Sequence, residues 1–83
     1  MNRLDKARQQ VESGKFREED AMEMREWEKA RMVERDEKER RIVLEEGDRK
    51  MREKKMASVE LGYRKARTMA LARREVIAQL NGY

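Results

Sequence analysis

Residues that commonly perform catalysis are scarce in this sequence. The chain of 83 residues contains neither histidine nor cysteine, so it lacks the imidazole and thiolate groups that dominate acid–base catalysis and zinc binding. Ser13 and Ser58 therefore have no histidine to activate them as nucleophiles. The four glycines are scattered along the chain and form no phosphate-binding loop. The sequence predicts no enzyme, no catalytic or metal site and no cofactor.

Carboxylates are abundant, but paired acids catalyse only where burial separates their pKa values. Such burial is difficult here because charged residues make up 48% of the chain. Leu, Ile, Val and Phe together account for 13 of the 83 residues. This share is smaller than the share of about one fifth that is usual for a chain that forms its own core. We therefore expect this chain to depend on a partner for part of its order.

Helix is the structure that the composition favours. The chain has no proline, and proline is the residue that most often ends or kinks a helix. Its 22 basic and 18 acidic residues nearly cancel, so charge repulsion does not force the chain open. The predicted fold class is all-α, with one to three long, highly charged helices, extended or kinked near Gly47, and not a compact globule.

Gly47-Asp48 is the clearest internal boundary. Glycine suits the end of one helix, and aspartate can cap the next by accepting from free backbone N–H groups. A kink, a tolerated glycine and a full reversal all remain open at this point. The prediction is a single elongated helical chain over residues 1–83, made of a short helix in 1–13, a charged helix in 14–46 and a basic amphipathic helix in 48–80.

Residues 34–41 are eight consecutive charged residues with no apolar position on any helical face. Acid-before-base pairs four residues apart, such as Glu34 with Lys38 and, further on, Glu46 with Lys50, are expected to stabilise the helix by about 0.2–0.5 kcal/mol each. This stretch is therefore interpreted as a solvated helical spacer, with an acidic–basic docking surface as the alternative.

Apolar residues collect in two patches on either side of the spacer. Phe16, Met24 and Trp27 form a loose stripe before it, and tryptophan and methionine are frequent anchors where a helix docks in a groove. After it, apolar residues recur at three- and four-residue steps over 59–80, interrupted by Arg73. The predicted partner-binding residues are Phe16, Met24, Trp27, Val59, Tyr63, Ala66, Met69, Ala70, Val76, Ile77 and Leu80.

Small residues also recur within the second patch. Gly62, Ala66 and Ala70 are spaced four apart, which would let another helix approach closely along one face. This pattern predicts that the second patch is the seam of a coiled coil or helix bundle, and self-association through this seam is one option. No stretch approaches the roughly 20 apolar residues needed to cross a bilayer, so no membrane span is expected.

Charge is unevenly divided between the two halves. Residues 1–47 carry a net charge of −2 and residues 48–83 one of +6, counting 12 basic with 14 acidic and 10 basic with 4 acidic side chains. The sequence RKAR at 64–67 could follow a phosphate backbone, with Tyr63 beside it for stacking. Nucleic-acid binding is therefore kept as an alternative function.

The run GKFREEDAMEMREWEKA at residues 14–30 resembles the inhibitory helix of the mitochondrial ATPase inhibitor family, through Glu19, Glu23, Arg25 and Trp27 among others. Where that family is expected to have two aromatic residues in succession, this sequence has Glu26 and Trp27. The resemblance implies a helix that inserts into a rotary ATPase, and thus an inhibitor or regulator of an enzyme.

The leading prediction is a non-catalytic structural subunit that braces a larger multiprotein assembly by helix packing, with other protein subunits as partners. The enzyme inhibitor and the nucleic-acid accessory protein are the alternatives. The lack of cysteine favours an intracellular protein. A mitochondrial setting is included because residues 1–11 combine basic side chains with apolar ones at helical spacing.

Overall fold

The computed structural model describes residues 2–82, which form four α-helices and no strand. The helices are α1 (Arg3–Ser13), α2 (Arg17–Ala21), α3 (Met24–Glu45) and α4 (Arg49–Leu80). The all-α prediction is confirmed. Helix α4 is the longest element, and each of the other three packs against it.

Local signals mark the ends of α1 and α4. The Asn2 side chain accepts a hydrogen bond of 2.9 Å from the Asp5 backbone N–H at the start of α1. Gly14 ends that helix with a φ of 73°, a left-handed conformation that favours glycine. At the far end of α4, Gly82 has a φ of 70° directly after Asn81.

The segment 14–46, expected to be one charged helix, contains two. Met22 and Glu23 are extended, with ψ angles of 149° and 144°, and they separate α2 from α3. Arg74 of α4 donates hydrogen bonds to the backbone carbonyls of Glu19, Asp20 and Met22. A distant arginine thus bonds to carbonyls at the end of the interrupted helix, of which only that of Glu19 also accepts a local backbone hydrogen bond, from the Met22 N–H. No local signal reveals this.

The chain reverses direction between α3 and α4. Glu46 next to the connection pairs with Lys55 at 2.6 Å, whereas Glu28 near the start of α3 pairs with Arg67 at 3.3 Å. Such pairing identifies an antiparallel hairpin, which is one of the outcomes that the sequence left open at Gly47. Glu46 therefore contacts Lys55 across the turn, in place of the expected Lys50.

Asp48 caps α4 as the sequence predicts. Its side chain accepts a hydrogen bond of 3.0 Å from the Met51 backbone N–H. We expect Asp48→Ala to lower the free energy of unfolding by about 1 kcal/mol, because one N–H loses its partner. Urea denaturation followed by circular dichroism measures the change. Asp48→Asn keeps the acceptor and should stay close to wild type, so equal losses in the two variants would contradict this role.

The apolar core is small and lies between α1 and the second half of α4. Ala7 of α1 packs against Ala72 and Val76 of α4, and Leu4, Val11 and Met69 partly cover them. Because the residues at the centre are short, α1 can lie close to α4. This contact gives the second half of α4 a partner within its own chain.

The overall shape is elongated. The radius of gyration is 15.6 Å and the principal extents are 52 × 28 × 18 Å, whereas a compact chain of this length has a radius of gyration of about 12 Å. The expectation of a fold that is not a compact globule is thus confirmed. No helix in the described part of the chain combines the length and the apolar character that crossing a membrane requires.

Candidate interaction surface

Trp27 was expected to need a partner to cover it, and this expectation is wrong. Its side chain is only 1% exposed within the chain itself. The ring lies 6.3 Å from that of Tyr63, centroid to centroid, and its indole N–H donates a hydrogen bond to Oε1 of Glu19. The reason is tertiary, because the hairpin and α2 bring Tyr63 and Glu19 onto the tryptophan from both sides.

Two arginines of α3 extend this aromatic pair. The guanidinium of Arg31 lies 5.7 Å from the centre of the Trp27 ring, and that of Arg35 lies 4.9 Å from the centre of the Tyr63 ring. A cation over an aromatic face contributes about 0.5–1 kcal/mol at exposed sites and more when desolvated. The Trp27–Tyr63 and Arg35–Tyr63 contacts join α3 to α4.

Arg73, which interrupts the apolar pattern of α4, joins three helices in the structure. It is 3% exposed; its Nε donates to Asp20 of α2 at 2.9 Å, and its Nη1 donates to the Gln10 side chain of α1 at 2.8 Å. Its guanidinium also lies 4.0 Å from the centre of the Phe16 ring. Arg73 is therefore a structural residue that fastens α1 and α2 to α4.

Glu19 links this cluster to the aromatic row. It accepts hydrogen bonds from Trp27 and, at 3.0 Å, from Arg31. Partial burial by itself would raise the pKa of this carboxyl group. The hydrogen bonds from Trp27 and Arg31, together with the positive charges of Arg31 and Arg73, outweigh that desolvation and hold the pKa below its ordinary value.

A carboxyl group with a lowered pKa in the folded state stabilises the protein above its unfolded-state pKa, and the effect disappears as the pH falls through the folded value. We expect Glu19→Gln to be less stable than wild type at pH 7, with the difference shrinking as the pH drops below about 4.5. Urea midpoints at pH 7 and pH 3 measure this. Glu18→Gln, at an exposed neighbouring position, is the matched control. A difference for Glu19→Gln that does not depend on pH would contradict the inference.

Three of the other ten predicted partner-binding residues also serve the interior of the chain. Ala70 and Val76 are buried, and Met69 packs on the core beneath α1. The expectation that a separate molecule covers these three is therefore corrected, since Ala70 is already buried within the chain and α1 packs against Met69 and Val76. The half-buried members are Phe16, Met24, Val59, Tyr63 and Ile77, and the exposed members are Ala66 and Leu80.

The seam is left open further along α4, where α1 does not reach. A groove of about 410 Å³ lies there between α3 and α4. Its α4 side is formed by Ser58, Val59, Gly62, Tyr63 and Ala66. Three of these residues, Ser58, Gly62 and Ala66, are small.

The α3 side of the groove is charged. Arg31, Glu34, Arg35 and Lys38 line it, with three positive charges and one negative. Arg31 pairs with Glu34 at 3.0 Å, and Arg35 pairs with Glu60 at 3.5 Å. Residues 34–41 were expected to form a solvated spacer, with an acidic–basic docking surface as the alternative, and the groove between this stretch and α4 was not predicted. The sequence signal for this wall is the spacing of the positive charges at positions 31, 35 and 38, which places them on one face of the helix.

Gly62 has no role in the packing of its own chain. A Cβ atom added there would meet no other atom within 4 Å. Glycine inside a helix costs about 1 kcal/mol relative to alanine, and α4 continues on both sides of this position. The internal contacts of the chain do not explain this residue, and they leave its backbone open to an approaching group.

Large apolar side chains are also exposed elsewhere. Leu44 near the hairpin turn is 78% exposed and Leu80 at the end of α4 is 69% exposed. The buried apolar residues, by contrast, are mostly alanines. The exposed large apolar residues of the described chain are Met32, Val33, Val43, Leu44, Met51, Leu61, Leu71 and Leu80.

Within residues 2–82, no group of three or more acidic side chains is arranged to hold a metal ion. Comparison of the chain with protein-family models, with curated proteins and with solved structures finds no match in any of the three. The arrangement can therefore be interpreted only from its own chemistry. It consists of a helical hairpin with an open groove, small residues on one side of the groove and charged residues on the other.

Proposed function

We propose that the protein is a non-catalytic structural subunit that braces a larger multiprotein assembly through helix packing. The observation that carries the proposal is the open groove between α3 and α4, which continues the seam that α1 fills further along α4. A helix face that one helix covers over part of its length offers the rest of that face to another helix. The partners we propose are other protein subunits inside the cell.

The balance of apolar surface supports the same proposal. Five apolar residues are buried in the described chain, while eight large ones are exposed. Isolated exposed apolar residues are normal on a protein surface. Here, however, the exposed ones outnumber the buried ones, so a partner that covers some of them would add to the small amount of apolar burial within the chain.

The inhibitor alternative is less well supported by the contacts of residues 14–30. Trp27 is buried, Glu19 bonds to it, and the Phe16 ring lies against Arg73. To insert as a free helix into an ATPase, this segment would have to leave all three contacts.

The nucleic-acid alternative loses support in a similar way, because Arg64 pairs with Glu60 at 3.5 Å and Arg67 with Glu28 at 3.3 Å.

Purification of the tagged chain from its native cells, followed by native mass spectrometry, tests the proposal. We expect the chain in a stoichiometric complex with other proteins, well above its own mass of 10.0 kDa. Recovery only as a free monomer of that mass would contradict a bracing role.

Two further measurements separate the alternatives. If the complex has an enzymatic activity, adding excess chain should leave its turnover unchanged, whereas an inhibitor would reduce it. Nuclease treatment before purification should leave the complex intact. Dissociation by nuclease, together with retention on polyanions that falls steeply with salt, would favour the nucleic-acid function.

A further inference from the structure

We propose that the groove between α3 and α4 binds an amphipathic helix of another protein whose contact face is small and apolar and whose flanks are acidic. This inference rests on the proposed function and names the partner chemistry for its surface. It is carried by the shape of the groove, by the charge of its wall and by the accessible backbone at Gly62.

The dimensions suit a short stretch of helix. The α4 side of the groove extends from Ser58 to Ala66, which at 1.5 Å per residue is about 12 Å, or two to three helical turns. The opposite wall, from Arg31 to Lys38, has a similar length. A helix lying here would form a three-helix bundle with α3 and α4. It would pack on α4 at residues 58–66, as α1 packs on α4 nearer its C-terminal end.

The open position of Gly62 indicates close approach. No contact within the chain requires glycine at this position, since a Cβ there would lie in free space. Together with the short side chains of Ser58 and Ala66, it lets a neighbouring backbone come nearer than larger residues would permit. A helix with alanine or other small residues on its contact face fits this surface better than one with bulky residues.

The charges determine the flanks of the partner. The groove wall carries Arg31, Arg35 and Lys38 against Glu34. Arg31 already pairs with Glu19 and Glu34, and Arg35 pairs with Asp36 and Glu60. Lys38 forms no ion pair with any residue in the described range 2–82, so its charge is available. Arg35 stacks on Tyr63, which holds its guanidinium at the edge of the groove. Acidic side chains on the incoming helix would meet this wall with complementary charge.

A second copy of this chain does not supply such a helix. Of the three helices long enough to fill the groove, α1 has three basic and two acidic residues, α3 has seven of each, and α4 has ten basic and three acidic. None of them is net acidic. Two grooves facing each other would also bring like-charged walls together, which is unfavourable. The occupant is therefore a different protein.

Two synthetic helical peptides of about 18 residues, long enough to form helix in part when isolated, provide the probe. Both carry the same alanine–leucine contact face, and the flanks are glutamate in one and lysine in the other. Fluorescence anisotropy with the full-length protein measures binding. We expect the glutamate peptide to bind at least about tenfold more tightly than the lysine peptide, with the difference decreasing as salt is added.

Gly62→Leu tests whether the groove is the site, because the new side chain would occupy the space that the peptide needs. It should weaken binding of the glutamate peptide at least about tenfold, while the helical circular dichroism signal is retained. Ala57→Leu is the matched control, at an exposed position of the same helix that does not line the groove, and it should change binding less than about twofold. Equal binding of the two peptides, or equal effects of the two substitutions, would overturn the inference.

Crosslinking in the native complex distinguishes failure of this inference from failure of the proposed function. Lys38 lines the groove, and Lys54 is an exposed residue of α4 that does not. Crosslinks from Lys38 to an acidic helix of another subunit would support the inference. Crosslinks to other subunits from Lys54 but not from Lys38 would overturn it and leave the bracing role intact. The absence of any partner protein would remove both.

Discussion

Replacing Arg73 with methionine is expected to lower the free energy of unfolding by about 3–5 kcal/mol, the usual cost of removing one partner of a buried ion pair. Arg73 is 3% exposed, and the side chain of Asp20, its partner at 2.9 Å, is 6% exposed. Methionine keeps the length of the side chain but removes the charge and all its donors. The Asp20 carboxylate and the Gln10 amide would both lose a hydrogen bond in a site that water reaches poorly.

Urea denaturation followed by circular dichroism measures this loss. The structural effect should be localised, because the same arginine holds α1 and α2 against α4. Hydrogen exchange is therefore expected to accelerate first in residues 3–21, before the hairpin of α3 and α4 opens.

A double substitution separates the buried charge from the packing. Asp20→Asn combined with Arg73→Met removes the uncompensated carboxylate, so the double variant should be more stable than the sum of the two single losses predicts. Simple additivity, or a loss for Arg73→Met below about 1 kcal/mol, the range of an exposed ion pair, would show that the pair is not a buried fastening.

Trp27→Ala is the second substitution with a large expected effect. Removing a buried tryptophan side chain costs about 3–5 kcal/mol, because the apolar contacts are lost and a void is left behind. Here the void would lie between α2, α3 and α4, and the substitution also ends the contact with the Tyr63 ring and the hydrogen bond to Glu19. The total stability of a domain of this length is about 4–12 kcal/mol, so either substitution removes a large share of it.

The urea midpoint and the helical circular dichroism signal measure the Trp27→Ala effect. Trp27→Phe keeps a ring against Tyr63 but cannot donate to Glu19, so its loss should be clearly smaller. Leu44→Ala removes a smaller but also apolar side chain at a position that is 78% exposed, and it should change stability by no more than about 0.5 kcal/mol. Similar losses for Trp27→Ala and Leu44→Ala would mean that the tryptophan is not buried in solution.

Several local features could be predicted correctly from the sequence. The lack of proline led to the all-α prediction, and Asp48 caps α4 as its position before a helical segment indicates. The ends of α1 at Gly14 and of α4 near Gly82 coincide with glycines that adopt positive φ. Each of these features depends on contacts within about four residues along the chain, which is why a single sequence is enough to reveal them.

The candidate site was only partly predictable. Val59, Tyr63 and Ala66 were identified from their helical spacing, and they do line the groove. The other half of the groove, with Arg31 and Lys38, was not identified, because a charged stretch has no apolar pattern to mark its inward face. Whether those residues face α4 depends on the hairpin, and local signals at Gly47 left that reversal open.

The sequence by itself determined that this chain is helical, highly charged and poor in large apolar residues, because these properties follow from composition and from short-range spacing. Only the tertiary structure decided that the chain turns back at Gly47, that Trp27 is covered by its own chain and that Arg73 is a fastening within the fold. Arg73 and Asp20 are 53 residues apart in the sequence. Contacts at such separations depend on how the helices are arranged in space, and the repeating pattern along any one helix contains no record of that arrangement.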